Sequence, residues 1–292
     1  MVKELRERTS LGMMECKKAL VESSGDINQA IEALKKSGQL KAAKRSTRVA
    51  SEGLIGSKSS AAYAVIVEVN CETDFVGRDA NFRQFVSQVT DCAFTNSIKD
   101  VTSLLTQVLD DGTTIDCARL KLSAQLGENI TVRRVTLISP PSGGSLAVYL
   151  HGGTQVARIG TAVALNITDQ ELAKDLAMQI AAMKPEYLSE AEVPQARLNK
   201  EREIFAAQAK KANSSKSDEI LSKIISGKLK KFVKELTLVG QPFIKDSSQS
   251  VEQLLKNANA TVTSYVRYEV GEGIEKQSND FVSEVMSQAR AN

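Results

Sequence analysis

The sequence has a single histidine, His151, and its four cysteines are spread along the chain without a C-x-x-C pair. Hydrolytic triads need a base beside a nucleophile, and zinc sites need several histidine or cysteine ligands. This scarcity argues against a triad hydrolase and against a zinc protein, and we expect neither a metal nor a cofactor. The cysteines show no disulfide spacing, so we interpret them as reduced, buried packing residues: Cys16, Cys71, Cys92 and Cys117.

No motif that cradles phosphate groups occurs in the sequence. Neither GxxxxGK[ST] nor GxGxxG after a strand pattern is present, and residues 271–273 offer only two glycines around a glutamate. We therefore expect that the protein binds no nucleotide itself. The sequence also offers no pair of titrating groups suited to a catalytic cleft, which makes an enzyme the least favoured class of function.

The sequence lacks a charge excess and a long apolar run. Its 38 Lys and Arg residues stand against 35 Asp and Glu residues, a net charge of +3. A general nucleic-acid binder normally concentrates basic charge and has a clearly higher isoelectric point. No apolar run approaches the roughly 18 residues of a membrane span, and residues 1–4 do not resemble a signal peptide. We expect a cytoplasmic protein without membrane contact or direct nucleic-acid contact.

Residues 1–48 predict a compact module of three short helices. Met13, Cys16 and Leu20 recur at helical spacing and form one apolar stripe. Gly38 follows two lysines and is a typical C-terminal stop, because glycine tolerates the left-handed cap conformation.

The same module carries two candidate contact features. Met13 and Met14 are neighbours on a helix and cannot both point into one core, so we expect one to be buried and the other exposed. Residues 41–48 are basic without interleaved aromatics. We interpret them as a solvated linker or helix, with RNA contact as the alternative.

Residues 49–137 and 138–185 predict two related α+β subdomains. Each has a β-branched strand pattern, an asparagine, a Thr-Asp pair and an amphipathic helix. In the second half the helix starts at once, after a capping box of Thr168 and Glu171. In the first half, residues 75–78 intervene before the helix. The strand patterns cover residues 62–69, 130–137, 146–150 and 156–166.

The remaining sequence predicts an inserted element and a return to the core. Residues 186–232 contain two helix patterns joined by a polar connection, which predicts an antiparallel coiled-coil hairpin. Residues 233–273 return to the second subdomain and end in an alternating strand pattern. Residues 274–292 predict a C-terminal amphipathic helix. Its apolar residues are Phe281, Val285 and Met286.

An acid and an aromatic stand side by side in the turn between the first predicted strand and its helix. Two interpretations of Phe75 stay open: it folds inward as core, or it is an exposed anchor that enters a partner's pocket. Asp74 precedes it directly. His151, followed by two glycines, has the pattern of a surface or hydrogen-bonded structural histidine rather than a contact residue.

Two segments carry a resemblance to a known family. Residues 5–20, LRERTSLGMMECKKAL, resemble the N-terminal signature of the elongation factor Ts family, and residues 68–76, EVNCETDFV, resemble its second signature. The resemblance runs across the whole chain in order. Further matching segments are residues 127–130, 133–135, 151–152, 157–160, 240–243 and 267–275.

The resemblance implies both a fold and a function. The implied fold is a ubiquitin-associated-like helical module, two α+β core subdomains, an inserted coiled-coil hairpin and a C-terminal helical module. The implied function is guanine nucleotide exchange without enzymatic catalysis: the protein promotes GDP release from elongation factor Tu during translation elongation by disturbing Mg²⁺ and phosphate binding. The implied wedge residues are Thr73, Asp74, Phe75 and Val76, and the implied further contacts are Arg6, Met13, Met14 and His151.

The sequence departs from the family pattern at a few positions, and it leaves alternatives open. Ser10 stands where the family usually has glycine, Gly77 where alanine or serine is usual, and a few residues are inserted after His151 and the following glycine. The hairpin serves dimer contacts in some members, so a homodimer stays open. The alternative function is an RNA-associated translation accessory protein that uses residues 41–48 and 228–234.

Overall fold

The computed structural model describes residues 1–9, 11–212 and 217–275, and its fold is α+β, as predicted. Three helices form the N-terminal module: α1 (Val2–Thr9), α2 (Met13–Glu22) and α3 (Ile27–Arg45). Leu5, Cys16 and Leu20 are buried between them. The predicted stop at Gly38 is wrong, because α3 continues to Arg45. Residues 39–44 are mostly good helix formers, and one interior glycine costs a helix only about 1 kcal/mol.

The first subdomain is a four-stranded sheet covered by helices. Its strands lie in the order β3 (Thr131–Ile138), β2 (Ala64–Cys71), β1 (Glu52–Ser59) and β5 (Val156–Ala157), and each neighbouring pair is antiparallel. The sequence patterns missed β1, because its two glycines and its polar end give a weak strand signal. The elements are β1 (Glu52–Ser59), β2 (Ala64–Cys71), α4 (Asp74–Arg78), α5 (Ala80–Thr95), α6 (Val101–Thr106), α7 (Ile115–Leu126) and β3 (Thr131–Ile138).

The second subdomain shows that the single strand predicted for residues 156–166 is wrong. The segment forms two strands, β5 (Val156–Ala157) and β6 (Ile159–Leu165), which belong to different sheets. β5 pairs with β1 of the first sheet, whereas β6 is the central strand of a second, three-stranded antiparallel sheet. The chain therefore passes from one sheet to the other at Arg158. The outer strands of the second sheet are β4 (Ser145–His151) and β9 (Val262–Glu269).

The helix α8 (Gln170–Met183) covers this second sheet, but the predicted capping box is wrong. The N-cap is Asp169, whose carboxylate accepts the backbone N–H of Leu172 at 2.9 Å. The hydroxyl of Thr168 instead donates to the carbonyl of Gly143 at 2.8 Å. Aspartate at the N-cap satisfies an orphan backbone donor at least as well as threonine, and the threonine is left to fix the preceding loop.

The two sheets pack face to face with the helices outside. Val65 and Val67 on one face of β2 pack against α5, whereas Ile66 on the other face packs toward the second sheet. On the second sheet, Val163 packs against α8 and Ala162 packs toward the first sheet. Because side chains alternate along a strand, β2 and β6 each contribute to two core layers. The result is an α/β/β/α arrangement.

The segment predicted as a hairpin contains two long helices, α9 (Gln195–Ala212) and α10 (Asp218–Leu236). Phe205 of α9 meets Phe232 of α10 edge-on, with ring centroids 6.1 Å apart. Helix α10 extends four residues beyond the predicted end at residue 232. The chain then forms β7 (Pro242–Phe243), β8 (Asp246–Ser250) and α11 (Val251–Asn257) before β9. In the predicted C-terminal helix, Phe281, Val285 and Met286 lie outside the described residues.

A buried carboxylate joins the two subdomains. Glu68 of β2 is fully buried and accepts hydrogen bonds from Arg133 and Arg134 of β3. It also accepts the backbone N–H of Gly271, which follows β9, at 2.9 Å. Burial by itself would raise the pKa of Glu68, but the donors of Gly271, Asn70 and Arg134 together hold this pKa below its ordinary value. The charge therefore stays on Glu68 at neutral pH.

The prediction that all four cysteines are buried holds for only two of them. Cys16 and Cys71 are buried, Cys92 is half-buried and Cys117 is exposed, and all four are free thiols. Cys117 lies in the first turn of α7 and lines an open cavity between this helix and the N-terminal module, so its thiol stays accessible. Within the described part of the chain, no helix is long and apolar enough to cross a membrane.

Candidate partner-binding site

The segment between β2 and α5, where the sequence predicted a turn, forms the short helix α4. Thr73 has extended backbone angles and is the N-cap of α4, and Asp79 ends α4 and caps α5 at the same time. The carboxylate of Asp79 accepts the backbone N–H groups of Asn81 and Phe82. Two caps six residues apart fix both ends of the one-turn helix, and this geometry decides which residues face outward.

Adjacent residues of α4 have opposite environments. Phe75 is 78% exposed, which is the largest exposure among the large apolar side chains of the described chain. Val76 is only 8% exposed and packs with Phe82 in the core under the first sheet. A helix turns each successive residue by about 100°, so burial of Val76 directs Phe75 to solvent. Of the four predicted wedge residues, Val76 therefore supports the site from inside.

Asp74 supplies a negative charge beside this aromatic ring. Its carboxylate accepts a hydrogen bond from the guanidinium of Arg78 at 2.8 Å, and the Asp74 side chain is 46% exposed. Helix spacing of four residues allows this pairing, and a solvent-exposed pair of this kind contributes little stability. The carboxylate can therefore exchange its partner for another cation at little cost.

The backbone of Thr73 is also held from inside the protein. The thiol of Cys71 donates to the Thr73 carbonyl, with the sulfur 3.2 Å from the oxygen. Burial, helped by the negative charges of Glu128 and Glu52, raises the pKa of the Cys71 thiol to about 12. The thiol therefore keeps its proton at neutral pH and remains a donor.

The carboxylate of Glu128 reaches the same turn from the end of α7. It accepts three hydrogen bonds from Glu72 and Thr73, at distances from 2.6 to 3.0 Å. Sequence reasoning missed both Cys71 and Glu128 as supports of this site. The available signal was the N-cap Thr73 followed three residues later by apolar Val76, where a capping box would have a glutamate or glutamine.

The two adjacent methionines of the N-terminal module are both exposed. Met13 and Met14 are 60% and 73% exposed, so the prediction that one of them is buried is wrong. They occupy the first turn of α2 after Gly12, ahead of the residues that pack against α1 and α3. Arg6 of α1 is exposed as well. Flexible thioethers on a surface suit contact with a partner of irregular shape.

His151 ends β4 and is exposed at the edge of the second sheet. Its Nδ1 lies 3.1 Å from the hydroxyl of Tyr149, two residues earlier on the same face of the strand. The inserted residues follow as a turn and return the chain to β5. His151 is thus a hydrogen-bonded surface histidine, as its pattern predicted, and it is accessible to a partner.

The predicted contact residues occupy three separate structural units. Arg6, Met13 and Met14 lie on the N-terminal helices, Phe75 lies on α4 of the first subdomain, and His151 ends β4 of the second sheet. The residues that the structure describes contain no group of three or more His, Cys, Asp or Glu side chains placed to hold a metal ion. Phe75, Met13, Met14 and His151 are thus exposed side chains on separate elements of the fold.

Comparison with known proteins identifies the family. The family model described as "Elongation factor TS" matches residues 72–272. Elongation factor Ts of Thioalkalivibrio sulfidiphilus is 50% identical over 292 residues, which cover 99% of this chain and 97% of that protein. Elongation factor Ts of Legionella pneumophila strain Paris has the same identity and coverage, and that of Idiomarina loihiensis is 48% identical over 100% of this chain and 97% of that protein. The chain belongs to the elongation factor Ts family and has the translation elongation role of that family.

Proposed function

We propose that this protein is a guanine nucleotide exchange factor that promotes release of GDP from elongation factor Tu. It binds the GTPase through exposed groups on three units and inserts Asp74 and Phe75 beside the nucleotide site. Arg6, Met13, Met14 and His151 make the further contacts. The proposal requires no acid, base or nucleophile from this chain, so the protein acts by binding rather than as an enzyme.

The observation that carries this proposal is the exposure of Phe75 on a helix capped at both ends. A large aromatic side chain normally buries its ring in the core. The free-energy cost of exposing the ring to solvent is recovered when the ring enters a partner's pocket. Phe75 is 78% exposed, while its neighbour Val76 anchors α4 in the core. The ring is therefore held in place before the partner arrives.

Linkage explains how such a contact can release a nucleotide. A protein that binds the nucleotide-free GTPase more tightly than the GDP-bound form must lower GDP affinity by the same factor. GDP is held largely by Mg²⁺ and by backbone donors around its phosphates, and the metal is the largest local charge. A wedge that displaces the Mg²⁺ environment removes this stabilisation. Asp74 adds a negative charge that can compete for the cationic groups of the partner.

The test is the rate at which a fluorescent GDP analogue leaves elongation factor Tu on addition of this protein. We expect the wild type to accelerate release and Phe75→Ala to lower kcat/KM by roughly 30-fold, the effect of losing an interface anchor worth about 2 kcal/mol. Asp74→Ala should lower it by a smaller factor. Each variant is compared at equal folded concentration, which is checked by urea unfolding.

Val108→Ala is the matched control, since Val108 is another exposed apolar side chain of the first subdomain. We expect this variant to keep the wild-type exchange rate within twofold. If the wild type does not accelerate GDP release, the proposed function is wrong. If the wild type is active but Phe75→Ala equals it, the exchange function stands and the wedge does not.

A further inference from the structure

The helix α4 lacks the residue that normally completes its N-terminus. In a capping box, the N-cap hydroxyl accepts the N–H of the third helical residue, and a glutamate or glutamine at that position reaches back to the N-cap N–H. Thr73 is the N-cap here, and its hydroxyl accepts from Val76. The third helical position is thus occupied by Val76, which is committed to the core. No carboxylate within α4 can reach back.

Glu128 supplies that carboxylate from another part of the chain. Its Oε2 accepts the backbone N–H groups of Glu72 and Thr73, each at 3.0 Å. Its Oε1 accepts the hydroxyl proton of Thr73 at 2.6 Å. Because the hydroxyl donates to Glu128, its oxygen lone pairs are free for the N–H of Val76, 3.5 Å away. One side chain thereby sets the orientation of the cap and satisfies two backbone donors.

Glu128 itself is held by the end of α7. Gly127 closes this helix in the left-handed conformation, with φ of 78°. The carbonyl of Glu128 then accepts the hydroxyl of Ser123 at 2.5 Å. The backbone of Glu128 is therefore fixed on both sides, and its half-buried side chain needs few rotamers to reach Thr73. A support of this kind limits the movement of what it contacts.

A second carboxylate reinforces the connection in the opposite direction. Glu72 accepts the backbone N–H of Asn129 at 2.6 Å and lies 3.6 Å from the guanidinium of Arg48. The Asn129 side chain donates to the carbonyl of Arg48 at 2.8 Å. The two turns at Glu72 and Glu128 thus exchange hydrogen bonds, and they also bind the chain that leads out of the N-terminal module.

We propose that Glu128 is a positioning residue for nucleotide exchange, which acts by holding α4 so that Phe75 is presented in its binding orientation. This inference rests on the proposed function. An isolated helix of one turn is unstable in water, so α4 depends on its caps and on Val76. Without Glu128 the turn becomes mobile. The conformational entropy that is lost when Phe75 is ordered then weakens binding to the partner. Glu128 touches neither nucleotide nor partner in this role.

The first test combines Glu128→Gln with Phe75→Ala in a double-mutant cycle of GDP release. The amide keeps the size of the side chain but has one acceptor oxygen instead of two. Its N–H₂ group therefore faces either the backbone donors of Glu72 and Thr73 or the Thr73 hydroxyl, where it competes with the N–H of Val76 for the hydroxyl oxygen. We expect Glu128→Gln to lower kcat/KM about tenfold when Phe75 is present. In the Phe75→Ala background we expect a change of only about twofold, because Asp74 is then the only inserted side chain left to position.

The matched control is Glu171→Gln, the same substitution in the first turn of α8, which should leave kcat/KM within twofold of the wild-type value. Equal effects of Glu128→Gln in both backgrounds would overturn the proposal, since they would mean that Glu128 acts independently of Phe75. A change below twofold with Phe75 present would overturn it as well. If the wild type is active and Phe75→Ala has the same activity, the wedge mechanism is wrong. An effect of Glu128→Gln in that case would contradict the positioning role as well.

A second measurement needs no partner and separates the two proposals. The chain contains no tryptophan, so Phe75→Trp introduces a single tryptophan on α4, which is excited at a wavelength where the five tyrosines do not absorb. In time-resolved anisotropy we expect restricted motion of this indole, and a larger fast-decaying amplitude when Glu128→Gln is added. The addition of Glu171→Gln should leave the decay unchanged. Identical decays with and without Glu128→Gln would show that Glu128 does not order α4, whatever the exchange assay gives.

Discussion

The two halves of the core differ in the connection between their central strand and the helix that follows it. In each half a strand that is central to its sheet ends near an asparagine, and a capped helix then packs on the sheet. In the second half Asp169 caps α8 directly. In the first half Thr73 caps the extra one-turn helix α4, and α5 starts only after Asp79. The inserted turn is what brings an aromatic ring to the surface.

Both turns are pinned by a side chain from a neighbouring segment, but by different chemistry. In the second half the hydroxyl of Ser145, at the start of β4, lies within hydrogen-bond distance of the carbonyls of Ile167 and Asp169. In the first half the carboxylate of Glu128 accepts N–H and O–H donors. A hydrogen bond from a serine hydroxyl is sufficient where the helix begins directly after the strand. A marginal one-turn helix needs an acceptor that replaces its missing capping-box glutamate.

The largest expected effect concerns Glu68, where the two halves meet. Removing one partner of a buried ion pair is strongly destabilising. Arg133 and Arg134 are partly exposed, which places the effect at the lower end of the usual range. We therefore expect Glu68→Gln to lower the free energy of unfolding by about 3 kcal/mol. The pKa of Glu68 is lowered in the folded state, so its contribution is present above its ordinary value of 4.5 and is lost as pH falls through the folded pKa. Urea unfolding from pH 7 down to about pH 3 measures both effects, because the loss begins near pH 4.5 and continues below it.

The control for this prediction is Glu219→Gln, which breaks an exposed pair on α10 and should change stability by less than about 0.5 kcal/mol. Other carboxylates also titrate in the acid range, so the informative quantity is the difference between wild type and Glu68→Gln. This difference should shrink as pH falls. A constant difference would mean that ionisation of Glu68 does not join the two halves.

A smaller effect is expected at Ser145, which holds the strand-to-helix turn of the second half. Ser145 is buried, and Ser145→Ala leaves the carbonyls of Ile167 and Asp169 without its hydroxyl donor. We expect a loss of about 1–2 kcal/mol in the free energy of unfolding, measured by urea denaturation. The exchange rate per folded molecule should stay at the wild-type value. A fall in exchange comparable to that of Glu128→Gln would remove the distinction between the two turns.

The smallest effect is expected at Gly77 in α4. A Cβ at this position would meet only the carbonyl of Gly53, at 3.8 Å, which is an ordinary contact. Gly77→Ala should therefore raise the free energy of unfolding by about 0.5 kcal/mol, because alanine loses less backbone entropy in a helix. The measurement is the urea midpoint, with Gly53→Ala as the contrasting variant. Gly53 has φ of 143°, and a Cβ there would lie 2.2 Å from the Val69 carbonyl, so that variant should be destabilised.

Elements with strong periodicity were predictable from the sequence, and elements with weak local signals were not. The helix patterns of α5 and α8 and the strand pattern of β9 are confirmed, because their apolar spacing is regular over several turns or pairs. β1 was missed because of its glycines. The break between β5 and β6 was also missed, because apolar residues on both sides of Arg158 read as one strand although they face different sheets.

The sequence by itself determined the fold class, the family signatures and the position of Asp74 and Phe75 at the end of a strand. Only the tertiary structure decided that Phe75 points outward, because the inward direction of α4 is already taken by Val76. It alone identified Glu128, which lies 55 residues from the hydroxyl that it holds. Periodicity is a property of neighbours along the chain, whereas a cap supplied from a distant turn exists only after the strands have brought the two turns together.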